Sequence, residues 1–463
     1  MTAARRGFWL PPGLPAPAAT FRDTGEGIVE VPDTSPALVM TATAHLRAAR
    51  PGLLALSTDT ILHALEETVA GWMRPDAPDR EAAEAAFCAA TGLPRASAPY
   101  TPLLEVMTGA ALRAWLNAEV TPVEALEKFV PGPGGAPVRA TGPALAVHIL
   151  SGNVPLVWLP GLAACLLMRT PCLLKPATDD PLTAPLFAAA LARRCPALGE
   201  ALAVLPWTGG EAAIEAEAMG QAEAVFVYGG GAAVAGILAR TPAGATRSVH
   251  GPRTAAGAIA RETLAPGRLE PVAGAAARDA LLYDGRGCLS LSCVFIERDG
   301  LMNPREAVTA LAQALAGASA NLPPGRPDRD AAAVTQSWRA RARARALAGR
   351  PAACLASPAG LDWTVIYDEE IPPPDAALVR TVWASPVDDL AGLSARLAAL
   401  PVRAHAVALA APDRRRATLA ADLPAVGVTR IVPFGRLQAP PVDWAADGVS
   451  PFRRHLRWTR LEA

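Results

Sequence analysis

Lysine is almost absent from this chain. Of its 43 basic residues only Lys128 and Lys175 are lysines, and arginine supplies the rest. With abundant Ala and Pro, that scarcity has the look of a GC-rich genome. A charge excess is missing too, since 43 basic residues balance 43 acidic ones. A nucleic-acid binder normally carries a basic excess on at least one domain, so that class is excluded. Long apolar runs are lacking. The greasiest stretch, 154–168, contains Pro155 and Pro160 and falls short of the roughly 20 apolar residues of a membrane span. Residues 1–20 carry two arginines but no continuous apolar run before the prolines, so no secretory leader is read. The seven cysteines, at 88, 165, 172, 195, 288, 293 and 354, form no Cys-x-x-Cys pair. Free thiols and a cytoplasmic setting are expected, with no disulfide framework and no metal site.

What remains is a globular chain of 463 residues, 51% hydrophobic and 19% charged. It is long enough for two or three domains. The first 20 residues read as a Pro-rich extended arm. Helical patterns follow at 35–50, 58–73, 79–91 and 101–130. From 145 onward the texture changes. Short apolar runs at 145–150, 172–174, 203–206 and 224–228 alternate with helical segments at 155–167, 183–194, 212–219 and 232–240. That alternation is the form of parallel βαβ units. After residue 250 strands are read at 293–297, 364–367 and 428–433, with a helix at 305–316. The Arg/Ala-rich stretch 338–347 reads as a solvated helix, because its arginines point in several directions. No tandem repeat occurs.

Four places could carry chemistry. Ser151-Gly-Asn-Val-Pro-Leu156 lies between a strand and a helix, so Asn153 is either a helix cap or an amide donor for an oxyanion. Lys175 ends a predicted parallel strand, where α/β proteins bind ligands. It could hold a ribose or phosphate, or be a surface lysine. Tyr228-Gly-Gly-Gly231 leads from strand to helix, and such a turn permits close approach of a pyrophosphate. Cys288 lies among loop formers in Gly285-Arg-Gly-Cys-Leu-Ser290. Cys165, Cys172 and Cys293 sit in apolar elements and read as core.

The order of these signals resembles the aldehyde dehydrogenase superfamily. More closely, the chain resembles the acyl-CoA reductase family that includes the fatty acid reductase subunit of bacterial luminescence. The resemblance rests on 142–155, Leu173-Leu-Lys-Pro-Ala-Thr-Asp-Asp-Pro181, Tyr228-Gly-Gly230, Gly287-Cys-Leu-Ser290, Gly427-Val-Thr-Arg-Ile-Val-Pro433 and Trp444-Ala-Ala-Asp-Gly448. It implies an α/β fold with a Rossmann-type parallel-sheet cofactor domain, an α/β catalytic domain and a helical N-terminal region. The boundaries read as 1–249 for the helical and dinucleotide-binding part, 250–430 for the catalytic domain and 431–463 for a segment returning to the cofactor domain or an oligomer interface.

By the same resemblance Cys288 is the acyl-carrying nucleophile and Asn153 the oxyanion amide. Lys175 contacts the cofactor ribose or phosphate, Gly229 and Gly230 lie beneath the pyrophosphate, and Glu370 contacts the nicotinamide ribose. His250-Gly-Pro-Arg-Thr254 aligns with a stretch whose glutamate, in aldehyde-oxidising relatives, activates water. Here no carboxylate follows until Glu262, which suits exchange of the acyl group with a thiol. Thr178 stands where NAD-preferring relatives often carry glutamate, so NADPH is the expected cofactor and NADH the alternative. The expected reaction is reduction of an acyl thioester, from acyl-CoA or an acyl-carrier protein, to the aldehyde. Backbone dipoles are expected to favour the Cys288 thiolate. The rival readings are an aldehyde-oxidising dehydrogenase and a non-catalytic acyl-carrier-binding scaffold. A homo-oligomer is expected, with 428–433 as an intersubunit strand, alone or with an acyl-donating partner enzyme.

Overall fold

The computed structural model describes residues 4–24, 27–374 and 378–462; residues 1–3 of the N-terminal arm therefore lie outside the described part. The chain divides into two compact units. Met1–Thr91, Tyr100–Gly251 and Pro441–Ala463 form the first; Gly92–Pro99 and Pro252–Pro440 form the second.

The first unit is built on five parallel strands: β1 (Ala146–Ile149), β2 (Cys172–Lys175), β3 (Leu202–Val204), β4 (Ala224–Tyr228) and β5 (Thr246–His250). Their order is β5-β4-β1-β2-β3. Every residue of β1 and β4 is buried, the signature of a parallel sheet covered on both faces. Alternation along the strands sends Val147, Leu173 and Val225 toward Val39, Ala42 and Leu46. Those three lie on the helix Pro36–Leu54, which Ser35 caps by accepting from the Leu38 N–H. That helix continues through Pro51, where the sequence predicted its end. The other face carries Ala146, Cys172, Leu174 and Phe226 in one cluster with the apolar helix Leu159–Leu167. The N-terminal arm is anchored: Trp9 exchanges two backbone hydrogen bonds with Val204 on β3, at 3.0 and 2.7 Å. A small antiparallel sheet pairs Pro137–Thr141 with Arg457–Arg460 and Val130–Pro131.

The second unit carries seven strands: β6 (Thr254–Ile259), β7 (Leu291–Glu297), β8 (Ala352–Ala356), β9 (Thr364–Asp368), β10 (Thr381–Val387), β11 (Ala404–Ala410) and β12 (Arg430–Val432). The order is β8-β9-β10-β7-β6-β11-β12, parallel except for β8 against β9. The stretch expected to pair across a subunit interface is thus, through β12, an edge strand of this chain's own sheet. The helix Arg329–Leu347 contains the whole Arg/Ala-rich stretch, and it buries Arg339, whose guanidinium donates to Thr364, Gly360 and Trp363. No helix among the described residues is long and apolar enough to cross a membrane.

Candidate active site

In the first unit the predicted residues gather at one edge. Renumbered in chain order, the strand order is 3-2-1-4-5, and such sheets bind ligands outside the carboxyl ends where the order reverses, here between β1 and β4. Asn153 follows β1, Lys175 ends β2, Thr178 lies in the turn after it, and Gly229 and Gly230 follow β4. The loops after β1 and β2 touch. The Leu150 N–H donates to the Lys175 carbonyl at 3.0 Å. A Cβ on Gly152 would stand 2.9 Å from the Asp179 Cβ and 3.0 Å from that of Ala177. Only glycine fits there without moving a loop.

Asn153 is exposed, and the helix after it starts at Leu159 with Trp158 as the residue before its first turn. Asn153 is therefore not that helix's N-cap. Leu156, in the same motif, is held at φ 58°, a backbone region that side chains rarely occupy. Lys175 is half-buried, and its ammonium group has no hydrogen-bond or ion-pair partner among the described residues. Burial lowers its pKa, with the Glu215 carboxylate pulling the other way. The helix Gly231–Arg240 begins at Gly230 with no side-chain cap. A Cβ on Gly230 would meet nothing within 4 Å. An uncapped helix start beneath open space after β4, and a cation without a partner among the described residues two strands away at the end of β2, are suited to the phosphates of a dinucleotide. Thr178 is exposed, whereas Asp180 is buried and accepts from the Thr183 N–H and hydroxyl. Burial pushes Asp180 up to about 6, against those two hydrogen bonds.

In the second unit Cys288 occupies a turn closed by the Ser290 N–H donating to the Gly287 carbonyl at 3.0 Å. The turn leads directly into β7, so the thiol stands at the amino end of the sheet. Three side chains fix it. His405, at the start of β11, reaches the Cys288 carbonyl through Nε2 at 3.0 Å. Ser290 Oγ accepts from the Gly287 N–H at 3.2 Å and from Gln438 Nε2 at 3.0 Å. Gln438 also donates to the Asp279 carbonyl, while the Asp279 carboxylate accepts from the Gly435 and Leu437 N–H groups. His405, Gln438 and Asp279 were not legible in the sequence. Ser290 was part of the cysteine motif.

The Cys288 thiol is half-buried. Burial pushes it up to about 11, against the pull of its own backbone N–H and of Arg253. The expected dipole effect is therefore present but outweighed, and the resting group is a thiol. The charged side chain acting on it is a cation.

Two carboxylates lie at the other end of this sheet. Glu262 follows β6 and pairs with Arg415 at 2.7 Å. Glu370 follows β9 and is bound by Arg345 at 2.7 Å and Arg350 at 2.5 Å. Cys288 precedes β7, which runs parallel to β6 and β10 in register, and β10 is parallel to β9. A strand of six or seven residues thus separates the thiol from both, on the order of 20 Å. The structure does not bring Glu370 and Cys288 together.

The acyl-CoA reductase (LuxC) family profile matches residues 53–458. The chain belongs to the acyl-CoA reductase family. It is an oxidoreductase acting on aldehydes or acyl groups. No curated protein matches this acyl-CoA reductase family member by sequence. Solved structures share its fold at low identity. Aldehyde dehydrogenase 21 from Physcomitrella patens, in complex with succinate, is 13% identical, with a TM-score of 0.75 over 99% of this chain and 98% of that one. An indole-3-acetaldehyde dehydrogenase in complex with NAD+ is 15% identical, with a TM-score of 0.74 over 98% and 96%. The NADP-dependent glyceraldehyde-3-phosphate dehydrogenase from Bacillus halodurans, complexed with NADP, is 14% identical, with a TM-score of 0.69 over 99% and 98%. The reductase-family chain has the aldehyde dehydrogenase fold.

Proposed function

We propose that the chain reduces an acyl thioester, such as a fatty acyl-CoA, to the aldehyde through an acyl-cysteine on Cys288, with NADPH as reductant. The observation that carries this reading is the place of Glu262. It is the first carboxylate after the stretch where an aldehyde-oxidising relative keeps its water-activating glutamate. Here it is spent on Arg415, a strand length away from the thiol. An acyl-cysteine without such a base resists hydrolysis and remains available for reduction.

Cys288 loses its proton and its sulfur attacks the thioester carbonyl carbon. The oxyanion draws on the Cys288 backbone N–H and, by the family resemblance, the Asn153 amide. Collapse breaks the bond to the leaving thiolate, which takes up a proton, and the acyl group stays on Cys288. NADPH, when bound, would supply the hydride, and with a proton from solvent the acyl group would become a thiohemiacetal. Breakdown of the thiohemiacetal frees the aldehyde and restores the cysteine. Lys175 and the Gly229–Gly230 turn are the groups suited to the cofactor's ribose and phosphates. Thr178 favours NADPH, because a carboxylate there would repel a 2′-phosphate. Glu370 would first have to leave Arg345 and Arg350, so it has no part in this site.

The test is NADPH absorbance with a series of acyl-CoA and acyl-carrier-protein thioesters, with free thiol and aldehyde measured in parallel. One thiol and one aldehyde per NADPH are expected, with none from Cys288→Ala. Asn153→Ala should lower turnover about 100- to 1000-fold. Oxidation of aldehyde to acid without thioester reduction would replace this reading with the dehydrogenase one. Failure to bind either cofactor would favour the scaffold.

A further inference from the structure

Beneath the cofactor sheet lies a set of soft donors that this reaction leaves unused. His148 stands in the middle of β1, Cys172 opens β2, and Cys165 lies in the last turn of the helix Leu159–Leu167. All three are fully buried. Ala146 pairs with Cys172 across the two strands, so His148, two residues further on, shares its face. The donor atoms of the three side chains all lie within 4.8 Å of one another. The imidazole stacks on Phe226 at 4.3 Å. Neither of its ring nitrogens has a hydrogen-bond partner. The Cys172 thiol donates to the Thr170 carbonyl at 3.3 Å.

An enclosed imidazole with two orphaned nitrogens is an expensive core residue. Leaving a buried polar group unpaired destabilises the fold, and a phenyl ring would stack on Phe226 without that penalty. Burial, with His455 and His250 nearby, lowers the His148 pKa to about 3. The ring is therefore neutral and its lone pair is available. The sequence hid this grouping because strand, helix and strand each contribute one member, and no Cys-x-x-Cys spacing marks it.

We propose that His148, Cys165 and Cys172 supply three ligands to a buried zinc ion. The chemistry selects the ion. Two thiolates and a neutral imidazole balance the charge of Zn(II), so the complex is neutral and needs no counter-ion in an apolar interior. Binding forms two Zn–S bonds and one Zn–N bond and releases two thiol protons to solvent. With Zn–S near 2.3 Å and Zn–N near 2.0 Å, the donors would close to about 3.3–3.8 Å of one another, a shift of roughly 1 Å. The ion would pin the helix Leu159–Leu167 to β1 and β2. Those elements bracket the Asn153 loop and carry Lys175, so the ion would brace the cofactor edge without touching the reaction.

The test is zinc content by mass spectrometry of the full chain, expressed in zinc-supplemented medium and kept reduced. Zinc release by a mercurial is followed with a chromogenic indicator, and thermal melts are run with and without the metal. About one ion per chain is expected, lost in Cys165→Ser, in Cys172→Ser and in His148→Phe. His148→Phe keeps the ring stack and removes the orphaned nitrogens, so it folds in any case, and its melting temperature should not respond to zinc. Zinc-free wild type with a His148→Phe variant at least as stable at every zinc concentration would make His148 a plain core residue. Zinc retained by His148→Phe would place the ion elsewhere. A wild-type mass two hydrogens short under non-reducing conditions would make Cys165 and Cys172 a disulfide. Each of these three results overturns the proposal.

Discussion

The raised pKa of the Cys288 thiol makes a measurable demand on its reactivity. Near pKa 11, about one site in 10⁴ is thiolate at pH 7, against about one in 30 for an ordinary thiol near 8.5. The thiolate deficit is about 300-fold. A more basic thiolate is a better nucleophile, with a Brønsted slope of about 0.4–0.5, which returns roughly tenfold. Net, Cys288 of the free enzyme should react with a neutral disulfide reagent about 20- to 30-fold more slowly than a small thiol at pH 7. Its rate should rise nearly tenfold per pH unit up to about pH 10. The rate at this residue is read from the labelled peptide, with Cys288→Ala as blank. Arg253 pulls the pKa down, so Arg253→Gln should slow labelling further at pH 8 and leave Cys293 unaffected. The sign for stability follows. A thiol that resists ionisation in the folded state costs stability as pH rises from about 9 towards 11, about 1.4 kcal/mol per pH unit at most. A labelling rate that levels off below pH 9, or a faster Arg253→Gln variant, would show that burial does not govern this thiol.

Other outcomes follow from the same contacts. His405→Leu removes the group holding the Cys288 carbonyl and should lower kcat about tenfold or more with little change in cofactor KM; His405→Gln should recover part of it. Thr178→Glu should narrow or reverse the kcat/KM preference for NADPH over NADH through repulsion of the 2′-phosphate, and an unchanged ratio would remove this turn from the cofactor. Arg380 is fully buried against Asp284 at 2.9 Å, so Arg380→Ala should cost about 3–5 kcal/mol in urea unfolding.

How much of this was legible depends on how each element is buried. β1, β2 and β4 are short apolar runs ended by polar or glycine punctuation, and those ends are where Asn153, Lys175 and Gly230 stand. Parallel βα units bring such turns to one edge of the sheet, so the fold and the place of these residues in it were readable together. β6 and β11 were among the strands missed. Thr-Ala-Ala-Gly-Ala-Ile and Ala-His-Ala-Val-Ala-Leu-Ala combine poor strand formers with burial on both faces, so neither propensity nor alternation betrays them. His405, Gln438 and Asp279 reach the cysteine turn from more than 100 residues away or through backbone groups, and no local motif encodes such a contact. Glu370 is a different case. A short Glu-Glu-Ile match cannot tell which end of a strand it occupies.

The two ends of the second unit's sheet are held in different ways. At the carboxyl end the fully buried Glu297 accepts from Arg415 at 2.9 Å, from the Arg261 N–H at 2.8 Å and from the Leu390 N–H at 3.2 Å. Burial alone would raise its pKa, but the hydrogen bonds from Arg415 and Arg261 hold it well below the usual carboxylate range. Removing the Arg415 guanidinium would leave the buried charge short of its main cation, so this end is held by ions. At the amino end His405 holds the Cys288 carbonyl and Gln438 the Ser290 hydroxyl, and the ion pair there, Arg380 with Asp284, is fully buried. Across about 20 Å of solvated protein one unit charge shifts another by only a few tenths of a kcal/mol. The ionic clamp can therefore stabilise the sheet without tuning Cys288. Arg253 remains the nearby charge, and a cation favours a thiolate and a developing oxyanion alike, while offering nothing that could take a proton from water. On the proposed mechanism that balance would favour acyl transfer between thiols over hydrolysis, and a carboxylate in place of Arg253 would reverse it. Arg253→Glu is accordingly expected to slow thioester reduction and raise the ratio of free acid to aldehyde among the products, read by chromatography. An unchanged ratio would mean that the charge at this position does not decide between the two fates of the acyl-cysteine.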